Sequence, residues 1–384
     1  MERGNVLVIG NSGVGKSTLI NTVLGSEVAE SGFGSTGTTK ELKIYESKEI
    51  PFRVIDTVGF EPSFGKQLMA INSVKKWSKS SIKDNTKINM IWFCVDGTSR
   101  KLFFKTIKNL AKATTMWKSV PIVVVITKSY SKPERTENIA MVEEVFSDME
   151  KFNENLKAIV PVVASTYTIN ETTFVPPEGI VELIDISNQL MPEGIKAGDN
   201  DVYNFKLRRK MALAQSIVGF SVTSAATVGA VPIPFADALI LGPIELAEIK
   251  GLAQLYEINR HKDSSPFVDS IIEIGTVGAA AKLAISSIKA IPGLNIAASV
   301  VNAVVAGSIV AAIGEGSIYV FEKIYKGEKT VEDIEWMKKV MENKLSSQFI
   351  ENVGVILGKI DKNATPRDIA KMVNTIFVSM IKTK

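Results

Sequence analysis

The sequence predicts an α/β domain with a mostly parallel sheet and helices on both faces, followed by an all-helical hydrophobic domain. Two observations predict this order: regularly spaced apolar runs in the first half, and a loss of charged residues in the second. The chain has 384 residues, of which 22% are charged and 45% hydrophobic, and this composition excludes a disordered protein. The net charge of +4 is too small to indicate nucleic acid, and no such partner is predicted.

Five runs rich in Val and Ile alternate with longer polar stretches of helical periodicity. The runs are residues 5–9, 52–55, 88–95, 121–126 and 159–163. Buried parallel strands alternate with covering helices in this way. The α/β domain is expected at 1–191, a Pro- and Gly-containing linker at 192–204, and the helical domain at 205–384.

The single cysteine, Cys94, and single histidine, His261, exclude a disulfide framework and a Cys/His metal cage. His261 is expected to cap a helix end. The chain begins directly with the first apolar run, which is too short for a signal-peptide core, so a cytoplasmic location is expected.

A phosphate-binding pattern, G-x-x-x-x-G-K-S, follows the first strand at residues 10–17. Its glycines let backbone N–H groups converge on phosphate oxygens at the start of a helix. We expect Lys16 to reach the β- and γ-phosphates and the Ser17 hydroxyl to bind Mg²⁺. The predicted nucleotide contacts here are Asn11, Ser12, Gly13, Val14, Gly15, Lys16, Ser17 and Thr18.

A second apolar strand ends in D-x-x-G, with Asp56 placed to hold Mg²⁺ through water and the Gly59 N–H placed to sense a γ-phosphate. The loop at 32–40 between the two motifs carries several hydroxyls that could close on Mg²⁺. The loops at 32–40 and 59–67 are therefore predicted to be ordered by nucleotide.

These motifs, with the strand ending in Asp96, resemble the Era-like GTPase domain of the translation-factor class and, more distantly, septins and immunity-related GTPases. The resemblance covers about half the chain. It implies GTP and GDP as ligands, Mg²⁺ as cofactor and GTP hydrolysis. It also implies that Thr39, or failing that Thr38, closes on Mg²⁺ and the γ-phosphate. Lys16, Thr39 and Gly59 are thus the predicted catalytic residues, and Ser17, Thr39 and Asp56 the predicted metal ligands.

The base-reading motif of the family departs from its pattern here. At its place stand Thr127, Lys128, Ser129 and Tyr130, without the aspartate that would accept both guanine N1–H and N2–H. Lys128 can still lie along the base, and Ala164 and Ser165 resemble the loop that offers backbone N–H groups to the base oxygen. GTP is predicted as the nucleotide, with ATP, promiscuous binding and a nucleotide-free relic as alternatives.

Phe60 follows the D-x-x-G motif where many small GTPases carry a water-orienting glutamine. The resemblance is to GTPases that hydrolyse slowly alone and gain catalytic groups from a dimer or partner. A homodimer through the GTPase domain is therefore among the expected partners.

The helical half contains two uncharged stretches, 211–236 and 290–314, each long enough to cross a hydrocarbon core of ~30 Å. Their many small residues make insertion weak. Two interpretations stay open: a buried bundle with Ala/Gly seams, and a hairpin turning near 231–237 that contacts a membrane surface through residues 205–314. Glu245 and Glu248 argue against a full span in the return arm.

Further features of this half bear on both interpretations. The basic cluster Lys206, Arg208, Arg209 and Lys210 could meet anionic headgroups, or be a solvated helix end. The motif Pro232-Ile233-Pro234-Phe235-Ala236-Asp237, followed by a helix expected to end near Tyr256, resembles a YcjF-type hydrophobic helical domain over roughly residues 205–260. A capping box at Thr365 and Asp368 predicts a C-terminal amphipathic helix.

The predicted function is a nucleotide-controlled GTPase switch linked to membrane association or self-assembly, peripheral to the inner face of a membrane. The alternatives are a P-loop ATPase, kinase or promiscuous NTPase, and a membrane or scaffold protein that uses nucleotide as a structural ligand.

Overall fold

A computed structural model describes most of the chain and divides it into two compact units. The described residues are 3–11, 13–25, 42–48, 50–57, 87–99, 120–149, 153–170, 173–193, 195–231, 237–262, 264–277 and 297–379. The first unit comprises residues 1–165 and 177–210, and the second comprises 166–176 and 211–384.

The predicted linker at 192–204 is wrong at its C-terminal end. All of it belongs to the first unit, and a helix begins at Asp199. Pro192 and Gly198 suggested a linker. The first helical turn, however, carries Asp199 and Asp201, whose negative charges stabilise a helix N-terminus.

The first unit is built on a six-stranded sheet in the order β2-β3-β1-β4-β5-β6. Its elements are β1 Gly4–Ile9, α1 Lys16–Leu24, β2 Leu42–Tyr45, β3 Phe52–Thr57, β4 Ile88–Asp96, β5 Ile122–Thr127, α2 Lys132–Ser147, β6 Leu156–Pro161 and α3 Ile180–Gln189. The five predicted runs form the parallel strands. The apolar runs do not predict β2, a short antiparallel edge strand that has no continuous apolar run of its own.

The buried strands β1, β4 and β5 bring their carboxyl ends to one edge of the sheet. Every residue of β1 and β5 is buried, as an interior strand of a parallel sheet requires. Trp92 of β4 is fully buried, and its indole N–H donates to the Ser187 hydroxyl of α3 at 2.9 Å. This packing holds the strands whose ends carry the predicted site.

The described part of the second unit is helical apart from one short hairpin. Its elements are β7 Tyr167–Thr168, β8 Phe174–Val175, the part of α4 (Asp199–Gly229) from residue 211, α5 Asp237–Leu255, a 3₁₀ turn Ile258–Arg260, α6 Ser264–Val277, α7 Ala298–Tyr325, α8 Ile334–Lys344, α9 Ser347–Lys359 and α10 Pro366–Ser379. The observed fold class is thus the predicted one: a mostly parallel α/β GTPase fold and a helical C-terminal region.

Helices α4 and α7 are both long and apolar enough to cross a membrane, but they differ in how much of each is buried. In the most apolar stretch of α7, 89% of residues are buried, against 50% in α4. Small residues line their contact: a Cβ built on Gly229 would lie 2.8 Å from the Ala306 Cβ, and one on Gly307 would lie 3.5 Å from Val222. The structure favours the buried-bundle interpretation for α7.

Two predicted helix ends are observed. The Asp368 N–H donates to the Thr365 hydroxyl oxygen at 3.3 Å, and the Asp368 carboxylate accepts the Thr365 N–H at 3.1 Å, as a capping box requires. His261 ends the 3₁₀ turn through its backbone N–H, which donates to Ile258 O at 3.0 Å.

The predicted basic cluster at 206–210 does not form an exposed patch. Arg209 and Lys210 are 3% and 1% exposed. A Cβ on Gly25, the C-cap of α1, would lie 3.0 Å from an Arg209 guanidinium nitrogen, so this cation covers the negative end of a helix dipole. Lys206 pairs with Asp185 at 3.4 Å. Burial of Arg209 and Lys210 removes them from both interpretations of the cluster, the contact with headgroups and the solvated helix end.

Three buried carboxyl groups lie among the described residues of the helical unit. Glu245 and Glu248 of α5 are 2% and 0% exposed, and Glu315 of α7 is 3% exposed. Burial raises the pKa of Glu245 and of Glu315 to about 7. Burial also raises the pKa of Glu248 well above its usual value, and repulsion from the neighbouring Glu245 and Glu315 carboxylates raises it further.

Few polar groups face this carboxyl cluster. Ser221 of α4 acts to lower the pKa of Glu248, and Gln215 of α4 and Lys344 of α8 act to lower that of Glu315. The carboxylate oxygens of Glu248 and Glu315 nevertheless make no hydrogen bond to a described residue. A Cβ on Gly314 would lie 2.7 Å from Glu248 Oε1, so only a glycine lets the carboxyl pack against α7 here.

Candidate functional site

The phosphate loop, residues 10–17, joins β1 to α1 and depends on its glycines. Gly13 and Gly15 have φ of 79° and 97°, a region that favours glycine. A Cβ on Gly10 would lie 2.5 Å from Cys94 O of β4, so only a glycine fits against the sheet. The loop therefore passes close to the strand ends before its N–H groups turn into α1.

Lys16 lies in the first turn of α1 and is only 9% exposed. Its ammonium donates to Gly10 O at 2.8 Å and to Asn11 O at 2.9 Å, so it curls back over the phosphate loop. Burial lowers the pKa of Lys16, while the acidic groups of Cys94 and Asp56 act in the opposite direction. A buried cation held at carbonyl oxygens is well placed to exchange them for phosphate oxygens.

The predicted metal ligands Asp56 and Ser17 lie beside this lysine. Asp56 is the penultimate residue of β3, opposite Val8 of β1; it is 8% exposed and acts electrostatically on Lys16. Ser17 follows Lys16 with an exposed side chain. Oxygen donors of this kind suit Mg²⁺, which binds through few protein ligands together with phosphate oxygens. Within the described residues, no group of three or more His, Cys, Asp or Glu could hold a metal alone.

The loop after β5 is tied directly to the phosphate loop. The Thr127 hydroxyl lies 2.5 Å from Val14 O and 2.9 Å from Val95 O, and it donates its one hydrogen to either oxygen. The Lys128 ammonium donates to Gly13 O at 2.8 Å and to Asp96 Oδ2 at 2.6 Å. These contacts bring the predicted base motif against the predicted phosphate site.

Asp96 holds Lys128 in place. Burial by itself would raise the pKa of Asp96, but hydrogen bonds from Lys128 and Thr98 outweigh it and lower the pKa below its usual value. Lys128 has φ of 54°, which is uncommon for a residue with a Cβ. The ion pair therefore stabilises a strained backbone at the centre of the site.

The loop after β6 lies next to the loop after β5. Val162 N–H donates to Ile126 O at 2.7 Å, and Ser129 N–H donates to Val162 O at 3.1 Å. Val163 exchanges two backbone hydrogen bonds of 3.0 Å with Glu178. Ala164 and Ser165 follow directly, and their N–H groups make no hydrogen bond to another described residue.

The structure brings most of the predicted residues to one edge of the sheet. They are Asn11, Gly13, Val14, Gly15, Lys16, Ser17, Thr18, Asp56, Thr127, Lys128, Ala164 and Ser165. Ser12, Thr39 and Gly59 lie outside the described residues, as do Thr38, Phe60 and the loops at 32–40 and 59–67. Their predicted roles stay predictions.

Sequence reasoning missed Asp96, Arg135 and Glu178, which support the site. Asp96 had a usable signal, because it is a charged residue that ends a buried strand at the carboxyl edge of a parallel sheet. Arg135 and Glu178 had none, because they pair across 43 residues of sequence.

Comparisons with known proteins agree with this geometry. Residues 5–128 match a family model described as 50S ribosome-binding GTPase. The chain is 25% identical over 197 residues to the probable GTP-binding protein EngB of Thermotoga petrophila, covering 50% of this chain and 88% of that protein. It is 28% identical over 166 residues to GTPase Era of Campylobacter jejuni, covering 42% of this chain and 50% of that protein.

Solved structures give similar matches. A probable GTP-binding protein engB matches with 16% identity and a TM-score of 0.32, over 49% of this chain and 98% of that chain. Era in complex with MgGDPNP and a segment of 16S ribosomal RNA matches with 23% identity and a TM-score of 0.30, over 59% and 68% of the two chains.

The family-model match contains the phosphate loop, Asp56 and the Thr127-Lys128 pair. The first unit is thus similar to GTP-binding P-loop GTPases in sequence, and it has their fold. The match ends at residue 128, so the resemblance of the helical half to a YcjF-type domain stays a prediction.

Proposed function

We propose that this protein binds GTP with Mg²⁺ and hydrolyses it to GDP and phosphate. The observation that carries the proposal is the contact of Thr127 and Lys128 with carbonyl oxygens of the phosphate loop. It makes one continuous surface from the phosphate loop to the loops after β5 and β6. Nucleotides bind at the carboxyl ends of parallel strands in folds of this class.

Each described residue has a role that follows from its position. The phosphate-loop N–H groups and the α1 N-terminus hold the phosphates, and Lys16 neutralises charge that builds up on them. Ser17 and Asp56 would hold Mg²⁺, the latter through water. When bound, Mg²⁺ supplies positive charge that stabilises the phosphoryl-transfer transition state. The aliphatic stem of Lys128 lies beside the phosphate loop, with its Cε 4.0 Å from a Cβ built on Gly15, and would support the base from there.

The reaction is attack of water on the γ-phosphate, with GDP as leaving group. Positioning and charge neutralisation supply most of the catalysis in such reactions. The proposal keeps Thr39 and Gly59 as γ-phosphate contacts. With Phe60 in place of a water-orienting side chain, turnover is expected to be slow for the isolated chain and faster with a dimer or partner.

The test is nucleotide titration and phosphate release for the full chain and its Lys16→Ala variant. Loss of charge-assisted hydrogen bonds, worth about 1.5–3 kcal/mol, predicts GTP binding weakened roughly 10- to 150-fold and phosphate release lost. Lys48→Ala removes one positive charge from an exposed position of the same unit and should match wild type. Equal GTP affinity in wild type and Lys16→Ala would refute the assignment.

The same titration separates the alternatives. ATP affinity equal to or above GTP affinity would indicate an ATPase or a promiscuous NTPase. GTP binding without turnover at any protein concentration would indicate a structural ligand. Turnover per molecule that rises with protein concentration supports activation by a homodimer.

We further propose that nucleotide state controls the helical unit, at a cytoplasmic membrane surface or in self-assembly. The supporting observation is that only half of the most apolar stretch of α4 is buried, and that Met211 of this helix is 37% exposed. Flotation with liposomes in the GTP and GDP states tests the membrane role, and failure to float in either state rejects it. The expectation that no nucleic acid binds stays a prediction, to be checked by mobility shift with ribosomal RNA.

A further inference from the structure

A salt bridge beside the candidate base site connects the two loops that would contact the base. Arg135, in the first turn of α2, donates from Nε to Ser129 O at 2.7 Å and from its other guanidinium arm to Glu178 Oε2 at 2.5 Å. Glu178 in turn pairs through its backbone with Val163. One guanidinium therefore links the loop after β5 to the segment that holds the loop after β6.

The carboxylates near these loops are already engaged with cations. Asp96 is bonded to Lys128, and Glu178 is bonded to Arg135. Tyr130 offers no carboxylate. Both carboxylates are therefore held by cations of their own, and the other polar groups next to these loops that can contact a base are backbone N–H donors.

The N–H groups of Ala164 and Ser165 are such donors. They follow the Val163–Glu178 bridge, Ser165 is exposed, and neither N–H bonds to another described residue. A backbone N–H favours guanine, which presents a carbonyl oxygen, over adenine, which presents an amino donor at the same position. Discrimination by backbone donors depends on where the loop is held, because no side chain can adjust it.

We propose that Arg135 and Glu178 are positioning residues for base selection, holding the loop after β6 where its backbone donors meet guanine. This inference rests on the proposed GTP binding. Arg135 suits the role because a planar guanidinium makes both contacts at once, which a lysine ammonium on a flexible stem does not reproduce. The side chains of Arg135 and Glu178 are 14% and 29% exposed, so the pair is partly shielded from solvent.

The test compares Glu178→Gln and Arg135→Lys with wild type, as full chains with Mg²⁺. Titration with GTP and ATP reports base selection, and competition by inorganic tripolyphosphate reports the phosphate loop alone. We expect both variants to lose about tenfold in GTP affinity and in the GTP-to-ATP affinity ratio, on the scale of a lost charge-assisted hydrogen bond. Tripolyphosphate affinity should change less than about twofold.

Glu46→Gln is the matched control. Glu46 pairs with Arg53 at 2.7 Å in the same unit, with side chains 34% and 28% exposed, and it lies at the far edge of the sheet beside β2. This variant should keep the wild-type GTP-to-ATP ratio. Thermal melting checks that each variant folds. If Glu178→Gln does not fold, the test is made with Arg135→Lys.

The outcomes separate this inference from the proposed function. Wild type that binds neither GTP nor tripolyphosphate would reject the proposed function and the inference with it. Wild type that binds GTP, with both variants retaining wild-type affinity and selectivity, would reject the inference alone. An equal loss of GTP and tripolyphosphate affinity would show a general structural role and would also reject it.

Discussion

The buried carboxyl groups of the helical unit predict that its stability falls as pH rises. Glu245 is 2% exposed, and burial raises its pKa from 4.5 to about 7. The folded protein thus binds this proton more tightly than the unfolded chain. The resulting stabilisation is complete below pH 4.5 and is lost as pH rises through 7. Replacing Glu245 by glutamine removes the charge while keeping the shape.

The size of the effect follows from the pKa. A tenfold change in proton affinity corresponds to about 1.4 kcal/mol, so the rise from 4.5 to about 7 corresponds to roughly 3 kcal/mol. Glu245→Gln should therefore equal wild type near pH 4.5 and exceed its free energy of unfolding by ~3 kcal/mol at pH 8. Since whole domains have only about 5–15 kcal/mol of stability, the difference should be easily measured.

Urea denaturation followed by far-ultraviolet circular dichroism at pH 5, 6, 7 and 8 measures this difference. With urea slopes of about 1–3 kcal/mol per molar, the midpoint at pH 8 should move by about 1 M or more. Glu351→Gln, an exposed glutamate of α9, is the control and should follow wild type. If Glu245→Gln also follows wild type at every pH, the Glu245 carboxyl group is either accessible to solvent or paired with a cation, and the reasoning fails.

Three further predictions concern single positions. Wild type should bind GTP and inosine triphosphate with affinities within about twofold of each other, because Tyr130 provides no carboxylate for the 2-amino group of guanine. Tyr130→Asp should bind GTP about tenfold or more tightly than inosine triphosphate. A strong preference of wild type for GTP in nucleotide titration would contradict this. Gly179 has φ of 79°, and a Cβ built on it would lie 2.2 Å from a carbonyl oxygen, whereas Gly327 has φ of 71° and open space around it. Gly179→Ala should therefore lower the free energy of unfolding by ~2 kcal/mol more than Gly327→Ala does. Equal urea midpoints for the two variants would show that no clash exists. Thr365→Ala should cost about 1 kcal/mol by removing the α10 cap, and an unchanged melting temperature would count against the capping box.

Local signals predicted the elements that make the phosphate site. A buried apolar run, a glycine-rich turn and a lysine within seventeen residues dictate a strand, an anion-binding loop and a helix, because all three depend on near neighbours. The capping box at Thr365 was predictable for the same reason. The strand β2 was not, since four residues at a sheet edge acquire their conformation from pairing with β3.

Other parts depended on contacts between distant residues. Sequence alone placed Arg209 and Lys210 in a basic cluster, yet their burial depends on packing that no local pattern encodes. The linker prediction at 192–204 failed at Asp199 because proline and glycine are ambiguous between a linker and a helix start.

The sequence by itself determined the phosphate loop, the order of the parallel strands along the chain and the apolar character of the second half, because each is set by residue type and spacing over short stretches. Only the tertiary structure decided the roles of Asp96, Arg135 and Glu178 and the burial of Glu245, Glu248 and Glu315. A charged side chain acquires its partner, and its pKa, from whichever segments the fold packs around it, and those segments lie far away in sequence.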